Sequence, residues 1–197
     1  MLLTFEEYIK EGLWSKGVDR SKSGEERLEN KVVLNTNEFK EIDLGFPFVF
    51  ANIDLTVDGD EKITWIKFED IKSQIERTGW RLPGWHELKK HLFKFAGNPP
   101  ELNDDLNVYT KYEMNKTFVY VKSKKTDEML EFVIDNPYGQ SYWCGYDKTS
   151  LEKNSALIKN ARIMRINDPK YAYNGMLFSF ENEDKNEKLK IRLVKDK

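Results

Sequence analysis

Apolar and polar positions along the chain change period several times, and each change marks an element. In "LTFEEYIKEGLW", Phe5, Tyr8 and Ile9 share one helical face, with Leu13 and Trp14 just past Gly12. Thr4 and Glu7 have capping-box spacing. The pattern predicts an amphipathic helix of about two to three turns, too short to hold by itself. Its apolar face must dock on its own domain or on a partner, so Phe5, Tyr8, Ile9, Leu13 and Trp14 are candidate anchoring residues. "SKGVDRSKSGEERLENK" follows, polar and glycine-bearing, and reads as a linker or lightly ordered arm. The expected division is an arm over 1–30 and a folded domain over 31–197.

From Lys31 the texture turns β-rich. "KVVL" and "EIDLGFPFVFANIDLTV" read as strands, the second broken at Gly45 and Pro47. "ITWIK" reads as a short strand. Phe68, Ile71 and Ile75 then recur at helical spacing, and Gly79 is placed to end that helix. A second helix carries a stripe of Trp85, Leu88, Leu92 and Phe95, stopped by Gly97, Pro99 and Pro100. "GNPPELNDDLNVYTKYEMNK" is polar and reads as a long surface loop. "TFVYVK" and "MLEFVIDN" alternate on either side of the turn-like "SKKTDE" and read as a hairpin. "SYWCGY", "NARIMRI", "YNGMLFSF" and "LKIRLV" read as further strands, the last two separated by the charged loop "ENEDKNEK". Two β-rich runs, two consecutive helices and about five strands exclude alternating βαβ order. They predict an α+β domain with mainly antiparallel sheets.

Composition narrows the function more than the fold. With 32 basic and 34 acidic residues, the net charge of −2 gives no field to gather nucleic acid or an anionic membrane. No run approaches the ~18 apolar residues of a membrane-spanning helix. The start lacks a basic n-region, so no signal peptide is read and folding in a cytoplasm is expected. Aromatic residues make up 13%, which favours large rings in a core or on a contact face. One cysteine, Cys144, excludes an internal disulfide and any multi-cysteine metal site, and reads as a small core residue.

Four motifs, kept in order between Glu41 and Lys197, resemble a known family. "EIDLGFPFVFANIDL" resembles its opening strand. "WIKFEDIKSQIERTGWRLPGWHEL" resembles its core signature, a helix, then Gly-Trp-Arg-Leu-Pro-Thr, then a second helix. "SYWCGY" resembles its Tyr-Trp-Ser-Ser strand, and "KLKIRLVKDK" its closing strand. The family is the C-type-lectin-like domain of the Fibrobacter succinogenes major paralogous type, found in Bacteroides-type bacteria and their phages. The resemblance implies two helices packed on small antiparallel sheets, here with an N-terminal helical arm. Gly84 stands where the family has Thr, but Glu87 keeps its spacing, and glycine is a fair helix N-cap. Cys144 stands where the family has Ser.

Against that background the chemistry is sparse. Formylglycine-generating enzymes share the implied fold and use a pair of active-site cysteines, where this chain has one. His86 and His91 are five apart and point to different helix faces, unlike zinc-binding pairs. "NPPELNDD", "DNPYG" and "INDPK" carry oxygen ligands a calcium ion could use, yet Asx-Pro pairs read first as turns. No metal or cofactor site is therefore assigned. Arg81 reads as a tie between elements, and Trp65, Trp80 and Trp143 as core. Tyr138, Gln140, Tyr142, Tyr146, Tyr171 and Tyr173 fall in or beside expected loops, where a rigid ring with a polar tip suits a contact surface. They are the candidate ligand-binding residues.

The functional expectation is a non-enzymatic binding or display module. It contacts a glycan or a protein such as a host surface protein, while the arm holds it to a protein partner, for example another virion subunit of a phage. The alternative is a purely structural subunit, oligomeric and without a free ligand.

Overall fold

A computed structural model describes residues 32–95, 101–136, 138–145, 160–170 and 176–197. The arm residues Phe5, Tyr8, Ile9, Leu13 and Trp14 lie outside the described residues, as do Tyr146, Tyr171 and Tyr173. In chain order the elements are β1 (Glu41–Ile42), β2 (Phe48–Ala51), α1 (Trp65–Glu76), α2 (Trp85–Leu92), β3 (Phe93–Phe95), β4 (Glu101–Leu102) and β5 (Leu106–Glu113). After these come β6 (Lys116–Ser123), β7 (Met129–Ile134), β8 (Gln140–Cys144), β9 (Asn160–Ile166), β10 (Phe178–Asp184) and β11 (Val194–Asp196). The strands form small antiparallel sheets ordered β1-β2-β11, β10-β9-β8, β3-β4 and β5-β6-β7. The architecture is mixed α+β, two helices with several small antiparallel sheets.

Both helices follow from local chemistry. The Thr64 hydroxyl accepts from Lys67 N–H at 3.2 Å and starts α1. Its buried face is Trp65, Phe68, Ile71 and Ile75. Trp65–Lys67, expected as part of a strand, thus form the first helical turn, because the Thr64 cap extends the 3–4 spacing backwards. Ile63 and Thr64 stay extended, Ile63 bonded both ways to Leu189. Gly79, at φ +82°, takes the left-handed conformation that turns the chain out of the helix. The second helix stops at Leu92, short of the expected Phe95, because Phe93 turns extended and pairs with Leu102 of β4.

The largest departure is the expected loop before Lys116. It holds β5, an eight-residue strand paired along its full length with β6. Val108, Thr110 and Tyr112 favour extended backbone. Met114 and Asn115, at φ 51° and 61°, make the two-residue type I′ turn that closes the hairpin. The expected β6–β7 hairpin is present. Strand β10 runs on to Asp184, into the expected charged loop.

The segment Leu189–Leu193, expected as a regular strand, instead distributes single backbone bonds among several elements. Its carbonyls accept from Ile63, Trp143, Leu55 and Ala51 at 2.8–3.0 Å, and its continuation at Val194 exchanges bonds with Arg81. Ile191, Leu193 and Val194 are fully buried. This tie joins β2, the α1 entrance, β8 and the start of α2 around one core.

Candidate binding face

"GWRLPGW" sits where these elements meet. Trp80 is buried and meets Phe39 edge-to-face at 5.3 Å. The Arg81 guanidinium forks onto Glu87, Nη1 to Oε2 at 2.9 Å and Nη2 to Oε1 at 2.7 Å. Its Nε reaches Asp196 at 3.1 Å, and Nη1 also donates to the Leu82 carbonyl. These bonds, Glu87 foremost, raise the guanidinium above its already high ordinary pKa. Glu87 in turn accepts from Gly84 N–H at 3.1 Å, the half of a capping box that survives a glycine N-cap. A cleft of about 490 Å³ opens beside this node, lined by α1, Arg81, Glu87 and Asp196. The charges on its floor are already paired with each other, so Arg81 is committed to holding β11 and α2 in place.

The candidate ligand-binding residues that the structure describes do not share one surface. Tyr138 is exposed at 77%, next to Gly139, whose φ of +114° and close approach to the Ile166 carbonyl leave no room for a side chain. Tyr142 is 1% exposed and Gln140 is buried. Sequence reasoning placed both at a contact surface. They lie in the core because β8 is bonded to β9 on one edge and to the Lys190 carbonyl on the other, and is covered on both faces. The Tyr142 hydroxyl lies near the Arg192 guanidinium but in a geometry short of a hydrogen bond. Burial, then the Asp54 charge, push its pKa far up, so it stays neutral. Beneath it, buried Lys190 and Arg192 meet Asp54, Arg192 Nε to Oδ1 at 2.7 Å and Lys190 Nζ to Oδ2 at 3.6 Å. Arg192 also donates to the Ala51 and Asn52 carbonyls. Lys190 also reaches Asp135 at 3.8 Å and the exposed Glu61 at 4.0 Å, and the cluster holds the C-terminal tie.

The oxygen-rich turns behave as turns. Asn103, Asn136 and Asp168 each accept the backbone N–H two residues on. Among the described residues no group of His, Cys, Asp or Glu is arranged to hold a metal ion. His91 stacks on Phe46 at 5.1 Å. Burial, then Lys90, hold its pKa below the ordinary 6.5. Cys144 is buried.

What the fold does bring together is the outer face of β5-β6-β7. Val119 and Val121 of β6 point inward and are buried, so Phe118 and Tyr120 point outward. The register sets Tyr109 opposite Tyr120 and Lys111 opposite Phe118. Tyr109 and Tyr120 stack at 5.4 Å with 23° between planes, and Phe118 lies 6.5 Å from Tyr120 at 15°. Polar groups edge the row: Lys111 is paired with Glu113 at 2.7 Å, and Glu131 stands opposite Tyr120. Tyr109 is 45% exposed and Met129, which accepts its hydroxyl, 42%. Sequence reasoning missed this row because it placed Tyr109 in a loop. The available signal was the alternation of Phe118 and Tyr120 with Val119 and Val121.

Comparison with known proteins gives no match: no family model fits the chain, and no curated protein or solved structure matches it. No helix among the described residues is long and apolar enough to cross a membrane.

Proposed function

We propose that this chain is a non-enzymatic binding module of the C-type-lectin-like kind, carried by a phage particle or acting in cell-surface recognition, and that it contacts a glycan. The observation that carries the reading is the solvent-facing row Tyr109–Tyr120–Phe118. Near-parallel rings offer apolar faces on which the C–H faces of sugar rings stack. Tyrosine hydroxyls, Glu131 and Lys111 supply hydrogen-bonding groups for sugar hydroxyls at the margin. The rings stand on a paired sheet and their rotamers are held by each other, so little freedom is lost on binding. The resemblance read in the sequence supports the lectin-like architecture, and the two helices followed by antiparallel sheets are compatible with it. In this reading residues 1–30 anchor the module to another subunit.

A glycan array with the purified chain, repeated with Tyr109→Ala and Phe118→Ala, tests the proposal. The expected result is binding to a defined set of glycans, lost at least about tenfold in either variant while the fold is kept. Binding that ignores both substitutions would remove the row from the site. Silence across the array would favour the second reading, a structural subunit, for which the exposed edge of β5 speaks.

A further inference from the structure

Strand β5 is an edge of its sheet, and it is bare in more directions than an edge requires. Every residue from Tyr109 to Glu113 is exposed, including Thr110 and Tyr112, whose side chains point to the inner side of the sheet. The tip residue Met114 is 86% exposed. The hairpin tip therefore stands out in solvent, while on the inner side Lys170 Nζ lies 3.8 Å from the Tyr112 ring and Thr117 of β6 is buried. A two-residue turn makes Glu113 and Lys116 a hydrogen-bonded pair, so Lys111, Tyr109 and Asn107 also bond to β6. Val108, Thr110 and Tyr112 then turn their N–H and C=O groups outward, and among the described residues no segment bonds them. Soluble proteins blunt such an edge with proline, a bulge, an inward-pointing charge or a lysine. Between Asn107 and Glu113 this one has only Lys111, which is paired with Glu113.

We propose that β5 pairs antiparallel with β5 of a second copy, about a two-fold axis at Thr110. The sequence of the edge is self-complementary in that register. Thr110 faces Thr110, and Val108 faces Tyr112 of the other copy, giving roughly six backbone hydrogen bonds from groups now unbonded. On the aromatic face, Lys111 lies opposite Tyr109 of the other copy, a cation over a ring, and Asn107 lies opposite Glu113. No like charges oppose each other. Moving the axis to Tyr112 runs the pairing into the Met114–Asn115 turn, whose positive φ values end the strand. Moving it to Val108 sets Thr110 against Leu106, which is buried. Only the Thr110 axis uses the whole free edge. The product is a six-stranded sheet, β7-β6-β5-β5-β6-β7, that sets two aromatic rows side by side on one face. The pairing does not depend on what those rows bind.

Sedimentation of the full chain without ligand, over a concentration series, tests this. The expected result is a reversible monomer–dimer equilibrium. Thr110→Pro removes an outward N–H and no bond to β6, and should weaken the dimer by at least about tenfold. A chain that stays monomeric throughout, or a dimer unchanged in T110P, overturns the proposal. Should T110P fail to fold, the register itself can be read. Tyr109→Cys and Lys111→Cys, mixed under mild oxidation, should form a disulfide heterodimer, whereas each alone should not, since only the mixed pair is directly opposite. Absence of that selectivity also overturns it.

Discussion

Replacing Arg81 with Met keeps the length and apolar stem of the side chain and removes its fork. In the folded chain the Arg81 and Glu87 side chains are 30% and 24% exposed. A charge-assisted bond shielded from water is worth about 1.5–3 kcal/mol, and a fully exposed ion pair about 0–1 kcal/mol. A bidentate pair at this exposure falls between them, at about 1.5 kcal/mol. The Asp196 side chain is 70% exposed, so its share, screened by solvent, is at most about 0.5 kcal/mol. Arg81→Met should therefore cost about 2 kcal/mol, which lowers Tm by roughly 4–8 °C in a body of this size. Arg81→Lys keeps the charge but cannot fork, and should lose about half of that. Urea unfolding followed by tryptophan fluorescence reads both. A double-mutant cycle with Glu87→Gln should return a coupling of about 1 kcal/mol. If Arg81→Met leaves the midpoint and Tm unmoved, or if the cycle shows no coupling, the node does not hold α2 against β11 and the reasoning fails.

Asp54→Ala leaves two buried cations with their shared carboxylate gone, and chemical denaturation should show a loss of about 3 kcal/mol, since one partner of a buried ionic cluster has been removed. Tyr142→Phe deletes a buried hydroxyl that lies near Arg192 without a hydrogen bond to it, so the variant should be as stable as the parent or up to about 1 kcal/mol more so by the same measure, and a clear loss would mean the hydroxyl is bonded. The folded-state pKa of His91 lies below 6.5, so the unfolded chain takes up the proton first. Stability from this group is level above that pH and falls as pH drops through and below it. Thermal melts between pH 7.5 and 5 should show that decline, and His91→Phe, which keeps the stacking on Phe46, should flatten it.

Elements whose periodicity reflects one buried face were legible in the chain. Phe68, Ile71 and Ile75 marked α1, and Val119 and Val121 against Phe118 and Tyr120 marked β6, because a single covered face writes a single period. Cys144, Trp65, Trp80 and Trp143 read as core, and they are buried. The misreadings have the opposite cause. Strand β5 has almost no buried face, so it looked like a polar loop, and only its register with β6 makes it a strand. Strand β8 has two buried faces, so Tyr142 and Gln140 carried no mark separating them from surface residues. Their burial depends on Lys190, some 50 positions away in sequence, a distance that no local pattern spans.

The same contrast says where function can sit. The Arg81 node and the Lys190–Arg192–Asp54 cluster use their charged groups on each other, and such groups hold geometry instead of recognising a ligand. The β5–β6 hairpin is the reverse. Its ring row faces solvent and its outward N–H and C=O groups have no backbone partner among the described residues, so the water over them is readily displaced by a sugar face or by another strand. Ring stacking acts along the face of the sheet, whereas strand pairing acts along its edge. In the dimer Lys111 of the other copy would cover Tyr109, leaving Tyr120 and Phe118 of each copy for a glycan, and the two rows would meet a multivalent surface together, multiplying a weak single-site affinity.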